Sequence, residues 1–187
     1  MTSILLTGPA VESLTLGEAK TFLRVEHDDD DQLVTALIAG ARTNVEAQAQ
    51  IALITQSWRI VLDCWPKYGR VAVRPGQLQP LVAARFSDFS GNAHVIDTQG
   101  FVPDRDASAL SFVPWAVPVP GRAAAGIELD VTVGFGDTAG AVPESLRQAV
   151  RLLVSHWYEH RGLVGPASAM LPATVSALIA PHRMSSL

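Results

Sequence analysis

The sequence predicts an α+β protein in which a small helical bundle carries an antiparallel β-rich insertion and ends in a short C-terminal docking helix. Three observations lead to this class. Apolar residues recur at helical spacing over 13–50 and again over 142–161. Over 55–136, apolar and polar residues instead alternate in short runs separated by Gly, Pro, Asn and Asp. The 187 residues, 48% of them hydrophobic, are enough for one sizeable core, so residues 1–187 are predicted to form a single domain.

Two helices are predicted in the first helical region, after a short lead at the N-terminus. Ser13 or Thr15 caps the segment LGEAKTFLRV. A longer amphipathic pattern follows the acidic run 27–31 and reaches Gln50. The run lacks the alternating carboxylates and the distal glutamate of a calcium-binding loop. We therefore interpret it as the start of a helix, where carboxylates are favoured by capping and by the helix dipole.

A series of short strands is predicted in the insertion. The first alternates along SWRIVLDCW and ends at Pro66, and the clearest alternates from Ile127 to Phe135. The runs between them are RVAVRP, PLVAARFSD, AHVID, GFVPD and ALSFVP. Such strands, separated by turn residues, predict an antiparallel meander. Residues 115–126, WAVPVPGRAAAG, have no periodicity and predict a long, mobile loop.

The helix predicted over 142–161 contains HWYEH, residues 156–160, which has the H-x-x-E-H spelling of one class of zinc peptidases. Catalytic zinc needs a third protein ligand beyond two histidines. The remaining histidines are His27, His94 and His182. No Asp or Glu follows Glu159, so the sequence offers no obvious third ligand, and we predict no metal, no other cofactor and no enzymatic activity. Trp157 and His160 are instead expected to pack at the foot of the core.

Composition argues against several classes of function. Lys and Arg number 14 against 18 Asp and Glu, which indicates no basic surface for a nucleic-acid backbone. The single cysteine, Cys64, excludes an internal disulfide and is typical of a reducing cytosol. No signal-peptide pattern and no apolar run of membrane-spanning length is present, so no membrane partner is predicted. A zinc metalloenzyme using the HWYEH helix and a β module that binds a host surface or a sugar stay open as alternatives.

Four blocks of sequence, taken in order, carry a resemblance to a known family. They are SLTLGEAKTFLRVEHDDDDQLVTALIAGAR, ALITQSWRIVLDCWP, VTVGFGDTAGAVPESLRQAVRLLVSHWYEHRG and LPATVSALIAPHR. Their combination resembles the head-tail connector family of tailed bacteriophages, and most of all the adaptors of alphaproteobacterial gene transfer agents. The resemblance runs from Ser13 to Arg183, and it implies that HWYEH belongs to a structural helix.

The resemblance implies a structural role in a particle. Connectors of this family assemble as rings, commonly of twelve subunits, beneath the portal protein at the capsid vertex. The ring joins the portal to a stopper or tail protein, and genomic DNA passes through its channel without a catalytic step. The expected location is the bacterial cytoplasm during assembly and then the neck of the particle. The mildly acidic composition would favour the passage of DNA over its binding.

Two sets of contact residues are predicted. The tail, residues 165–187, carries a short apolar helix followed by basic residues, and connector C-termini insert between portal subunits. The predicted portal-binding residues are Leu171, Val175, Leu178, Ile179, His182 and Arg183. The predicted subunit interface involves the helical bundle together with the β insertion and its loop 115–126, and includes Trp115, Val117, Val119 and Arg122. For the tail, docking on its own subunit is the alternative, since a helix this short is unstable alone in water.

Overall fold

The computed structural model describes residues 1–160 and 172–184. The chain divides into two compact units, each built from two stretches of sequence. The β unit comprises Met1–Pro9 and Thr55–Gly134, and the helical unit comprises Ala10–Ile54 and Phe135–Leu187. The fold class is α+β, as predicted. Among the described residues, no helix combines the length and the apolarity needed to cross a membrane.

The described part of the helical unit contains α1 Leu16–Leu23, α2 Asp31–Ala49, α3 Glu144–Glu159 and α4 Ala173–Ile179. Thr15, and not Ser13, caps α1. The Thr15 hydroxyl accepts a hydrogen bond from the Glu18 N–H at 3.2 Å, and the Glu18 carboxylate accepts one from the Thr15 N–H at 2.9 Å. This reciprocal pair is a capping box, which explains why the helix starts at Leu16.

The core of the helical unit lies between the inner sides of α2 and α3. The fully buried side chains recur at helical spacing: Val34, Ile38, Ala41, Val45, Leu146, Ala149, Val150 and Leu153. Gly40 lies where α2 meets α3, because a Cβ at this position would stand 3.4 Å from the ring of Trp157. The apolar stripe predicted for α3 is therefore the side that packs in the core.

The acidic run before α2 differs from the prediction. Asp30 occupies the N-cap position of α2, but its side chain makes no capping hydrogen bond. It accepts instead from the Tyr158 hydroxyl at 2.6 Å. Lys20 donates to Asp28 at 2.6 Å and to Asp31 at 2.7 Å. The carboxylates thus connect α1 and α3 to the start of α2, and capping does not account for them.

The β unit contains eight strands: β1 Thr2–Thr7, β2 Gln56–Leu62, β3 Arg70–Ala72, β4 Leu78–Ser87, β5 Ala93–Ile96, β6 Phe101–Asp104, β7 Ala109–Phe112 and β8 Ile127–Val133. They form a five-stranded sheet in the order β1-β2-β8-β4-β5 and a three-stranded sheet in the order β3-β7-β6. All neighbouring pairs are antiparallel, as predicted.

The prediction of a meander is wrong, because β8 lies between β2 and β4 rather than beside the strand before it. The apolar side chains of β8 explain this position. Four of them are fully buried: Ile127, Leu129, Val131 and Val133. Such an apolar strand is best placed in the middle of a sheet, and β8 pairs there with β2 on one side and with β4 on the other. The sequence analysis also missed β1, which it treated as a lead, and which pairs with β2.

The loop 115–126 is anchored within the β unit, in contrast to the predicted mobile loop. Nε1 of Trp65 donates to the Pro118 carbonyl at 2.8 Å. The N–H of Gly121 donates to Ser87, and the N–H of Ala125 donates to the Asp63 carboxylate, both at 2.8 Å. Backbone and side-chain donors of this kind fix a segment that has no periodicity of its own.

Candidate interaction surfaces

The HWYEH segment lies at the C-terminal end of α3. Trp157 packs against the core of the helical unit, as predicted. His160 does not: it is exposed at the C-cap of α3, where its N–H donates to the His156 carbonyl at 3.1 Å and its Nδ1 lies 2.8 Å from the same oxygen. The prediction placed His160 on the apolar stripe, but the helix ends before that residue and the side chain turns back onto the last turn.

The two histidines of HWYEH lie side by side, with ring centroids 4.7 Å apart. Nε2 of His156 is buried and has no hydrogen-bond partner among the described residues. Over residues 1–160 and 172–184, no group of three or more His, Cys, Asp or Glu side chains is placed to hold a metal ion. A zinc centre on this helix would need a third ligand that this part of the chain does not supply.

Helix α4 is docked on the helical unit. Val175 and Ile179, four residues apart, are fully buried in the core of that unit, and Leu178 is partly buried against it. Val175 and Ile179 are not accessible while α4 is docked, as in the alternative in which the tail docks on its own subunit, and their binding to a portal protein stays a prediction. A seven-residue helix has no stability of its own, so it packs on the apolar surface its own chain provides. Leu171 lies outside the described residues.

Polar contacts hold the residues after α4 in place. His182 Nε2 lies 2.8 Å from the Ser145 hydroxyl at the start of α3. The backbone N–H of Met184 donates to the Ala49 carbonyl at 3.1 Å, at the end of α2. Arg183 is exposed, and its guanidinium reaches the side chain of Gln48 at 3.5 Å. Of the predicted portal-binding residues that are described, Arg183 is therefore the most accessible.

The predicted interface loop exposes bulky apolar side chains. Trp115 is 88% exposed and Val119 is 81% exposed, while Val117 is half-buried and Arg122 is exposed. Exposed aromatic residues that the sequence analysis did not single out flank this loop. Tyr68 is next to Gly69, whose added Cβ would lie 3.1 Å from Pro114, and the backbone of Phe89 contacts Gly121. Isolated exposed apolar residues are ordinary, but several near one loop are typical of a protein–protein contact.

An aromatic cluster positions the loop. The ring of Trp65 lies 4.9 Å from Phe112 and 5.9 Å from Phe101, and those two rings are 5.7 Å apart. The same indole donates to the Pro118 carbonyl. Because Trp65 is packed on one side and hydrogen-bonded on the other, it holds the loop in the geometry that exposes Trp115 and Val119.

An ion cluster lies on one face of the five-stranded sheet. Arg59 on β2 and Arg85 on β4 donate to the two carboxylate oxygens of Asp130 on β8, at 2.7 and 2.6 Å. Burial raises the pKa of Asp130, but the hydrogen bonds from the two guanidinium groups outweigh burial and hold the pKa below its usual range. A carboxylate that stays ionised and fully paired is suited to fixing strand register and unsuited to proton transfer at neutral pH.

The described residues thus combine exposed apolar side chains near one loop with a charged cluster that pairs within the fold. Residues 13–80 match the model of the phage gp6-like head-tail connector protein family. The chain is similar in structure to a chain in the neck of an empty gene transfer agent particle, computed with C6 symmetry. That match has a TM-score of 0.83 and 28% identity, and it covers 100% of this chain and 97% of the other.

Two further structures agree. A chain in the neck of a native gene transfer agent particle, computed with C12 symmetry, gives a TM-score of 0.81 at 25% identity, with the same coverage of 100% and 97%. A chain in the virion of the native particle gives 0.83 at 24% identity and 100% and 97% coverage, and so bears on the fold alone. A comparison with curated proteins found no match. Part of the chain thus matches a head-tail connector family, and the whole chain is similar in structure to chains of gene transfer agent necks, which together indicate a structural connector role.

Proposed function

We propose that this chain forms a closed ring of twelve copies in the neck of a phage-like particle, beneath the portal protein and above a stopper or tail protein. One observation carries the proposal: the whole chain, and not a part of it, matches nearly the whole of a chain from a gene transfer agent neck. The necks of the two related particles were computed with C12 and with C6 symmetry. Twelve copies are compatible with both, because sixfold symmetry is contained in twelvefold symmetry.

The chain acts in this proposal as one connector domain over 1–187, with helical parts at 13–50 and 142–161, a β insertion at 55–136 and a portal-binding tail at 165–187. Because α4 is docked, fewer of the predicted portal-binding residues are accessible to a portal subunit. Arg183 is exposed and His182 and Leu178 are partly exposed, so these side chains can reach a portal subunit without any rearrangement. Val175 and Ile179 could do so only after α4 detaches from the helical unit.

The contact between neighbouring subunits includes the anchored loop. Rings are built from heterologous contacts, in which one surface meets a different surface of the next copy. Trp115 and Val119 are the large apolar side chains of the loop that are most exposed, and aromatic anchors dominate the energy of such contacts. Arg122 is an exposed residue of the same loop, and a charge at the edge of a contact steers association more than it adds affinity.

The proposed ring conducts DNA without acting on it. The chain carries a net charge of −4, so a channel lined by it would repel phosphate and favour passage. No catalytic step and no cofactor belong to the proposal. Subunits accumulate in the bacterial cytoplasm and join the neck during assembly.

The test is to mix the purified chain with the portal protein of its own particle and to image the product by electron microscopy. We expect a closed ring of twelve copies seated on the portal. A double substitution, Trp115→Ser with Val119→Ser, should leave the subunit folded, since both side chains are exposed, but should prevent ring closure. The control is Val102→Ser, which removes another exposed side chain, 64% accessible, from β6. A chain that stays monomeric and unbound in the presence of the portal protein would contradict the proposal.

A further inference from the structure

The five-stranded sheet has two edges, β1 and β5, that no other described strand covers. The strands read TSILLT and AHVI, and neither contains Lys, Arg, Asp, Glu or Pro. Natural edge strands are usually protected by such residues, because a bare edge offers unpaired N–H and C=O groups to another strand. The one ionisable side chain, His94, is engaged within its own hairpin: Nε2 lies 2.8 Å from Asp88, and its ring stacks on Phe86.

The two edges match in length and in the face on which their apolar side chains stand. β1 pairs regularly with β2 over Thr2–Leu5 and becomes irregular between Leu5 and Thr7, so its regular part has four positions, as many as β5. Ile4 is opposite Arg59, and Val95 is opposite Arg85.

Both arginines contact Asp130, so Ile4 and Val95 stand on the same face of the sheet, at opposite edges. Ile4 is 47% exposed and Val95 is 80% exposed.

The direction of the edges decides which partner they fit. All four neighbouring pairs in this sheet are antiparallel, and the sheet has five strands, so β1 and β5 run in the same direction. A rotation about an axis inclined to the strands therefore brings the β1 edge of one copy beside the β5 edge of the next in a near-parallel orientation, with a shift in register between the copies. The contact is head-to-tail and can repeat until a ring closes.

We propose that β1 of one subunit pairs in parallel with β5 of the next, so that the large sheet continues from copy to copy around the ring. The occupant of each edge is a second copy of this chain. This inference rests on the proposed ring and specifies one of its contacts. Within one sheet Ile4 is level with Asp130 and Val95 is level with Glu128, so the two positions are offset by two residues along the strands. The proposed register is the one in which the inclined axis removes this offset and brings Ile4 opposite Val95. Pairing then satisfies the edge backbone groups that no described strand pairs, and it removes both side chains from water.

The first test is cross-linking in particles assembled from variant chains, in a Cys64→Ser background that removes the native exposed thiol. When Ile4→Cys chains and Val95→Cys chains are mixed and oxidised, a covalent pair of one chain of each kind is expected. The matched control is Ile4→Cys mixed with His94→Cys, because residue 94 stands on the opposite face of β5 and cannot reach.

Each outcome of the cross-linking is informative. Links within the Ile4→Cys chains alone would indicate that two β1 edges pair with each other, and would overturn the proposal. Intact rings without any specific link would overturn edge pairing while leaving the connector function standing. Failure of the unsubstituted chain to enter a ring or a neck would instead count against the proposed function itself.

The second test places a charge at the edge. Val95→Lys should fold normally, because residue 95 is exposed, but it should abolish ring formation, since edge lysines oppose strand pairing. Val102→Lys, on the smaller sheet, is the control and should form rings. Adding Ile4→Glu to Val95→Lys should restore rings, because the two side chains would then face each other with opposite charge. Rings formed by Val95→Lys as readily as by the unsubstituted chain would refute the pairing.

Discussion

How often α4 detaches from the helical unit should depend on two buried side chains of this helix. Val175 and Ile179 have no exposed surface and form the inner side of a seven-residue helix. Replacing a buried Ile with Ala costs about 2–5 kcal/mol, and the lower end applies where the surroundings can relax, as at a helix near the chain terminus. For Ile179→Ala we therefore expect a loss of about 2 kcal/mol, which raises the population of detached α4 about 30-fold.

Amide hydrogen exchange measures this population directly. A detached helix of this length unfolds, so the amides of α4 exchange each time it opens. In Ile179→Ala the protection of these amides should fall by about 30-fold, while the amides of α2 change little, because the opening is local. The control is Thr174→Ala, which alters an exposed position of the same helix and should leave protection nearly unchanged.

The reasoning fails if α4 is not docked in the free subunit. In that case its amides in the unsubstituted chain would exchange as fast as those of an unstructured peptide, and Ile179→Ala would change nothing. The same result would return the whole apolar stripe to the set of residues free to bind a portal subunit.

Three further predictions concern the rest of the chain. Asp130→Asn should destabilise the β unit by about 1–3 kcal/mol at neutral pH in chemical denaturation, because Arg59 and Arg85 lose a charged acceptor. Because the pKa of Asp130 is lowered in the fold, the unsubstituted chain should be more stable than Asp130→Asn above the ordinary aspartate pKa, and this difference in unfolding free energy should shrink as the pH falls below about 4. A difference that is the same at all pH values would show that the ionised Asp130 is not its source. Leu153→Asp should abolish the cooperative thermal transition of the helical unit seen by circular dichroism, because an unpaired buried carboxylate costs several kcal/mol, and a native-like melting curve would show the side chain is not in the core. His156→Ala should leave the metal content of the purified protein unchanged in elemental analysis, whereas stoichiometric zinc lost in this variant would revive the metalloenzyme alternative.

Local patterns in the sequence were sufficient for most elements and for part of the contact surface. The helical segment α1, the buried stripe of α3 and the strands from β2 to β8 each depend on residues within one turn or one strand, where periodicity and turn chemistry act. The exposure of Trp115 and Val119 also agrees with the loop in which the sequence placed an interface, although the contact itself stays a prediction.

The sequence by itself determined the α+β class, the helical and strand segments and the resemblance to head-tail connectors, because these follow from spacing and from the order of blocks along the chain. Only the tertiary structure decided that β8 lies at the centre of its sheet, that β1 is an edge strand and that α4 docks on its own unit. The physical reason is that strand order and helix docking depend on pairing between residues far apart in sequence. Ile4 and Val95 look like any apolar residues of short strands until the register with Arg59 and Arg85 places them on one face, at opposite edges.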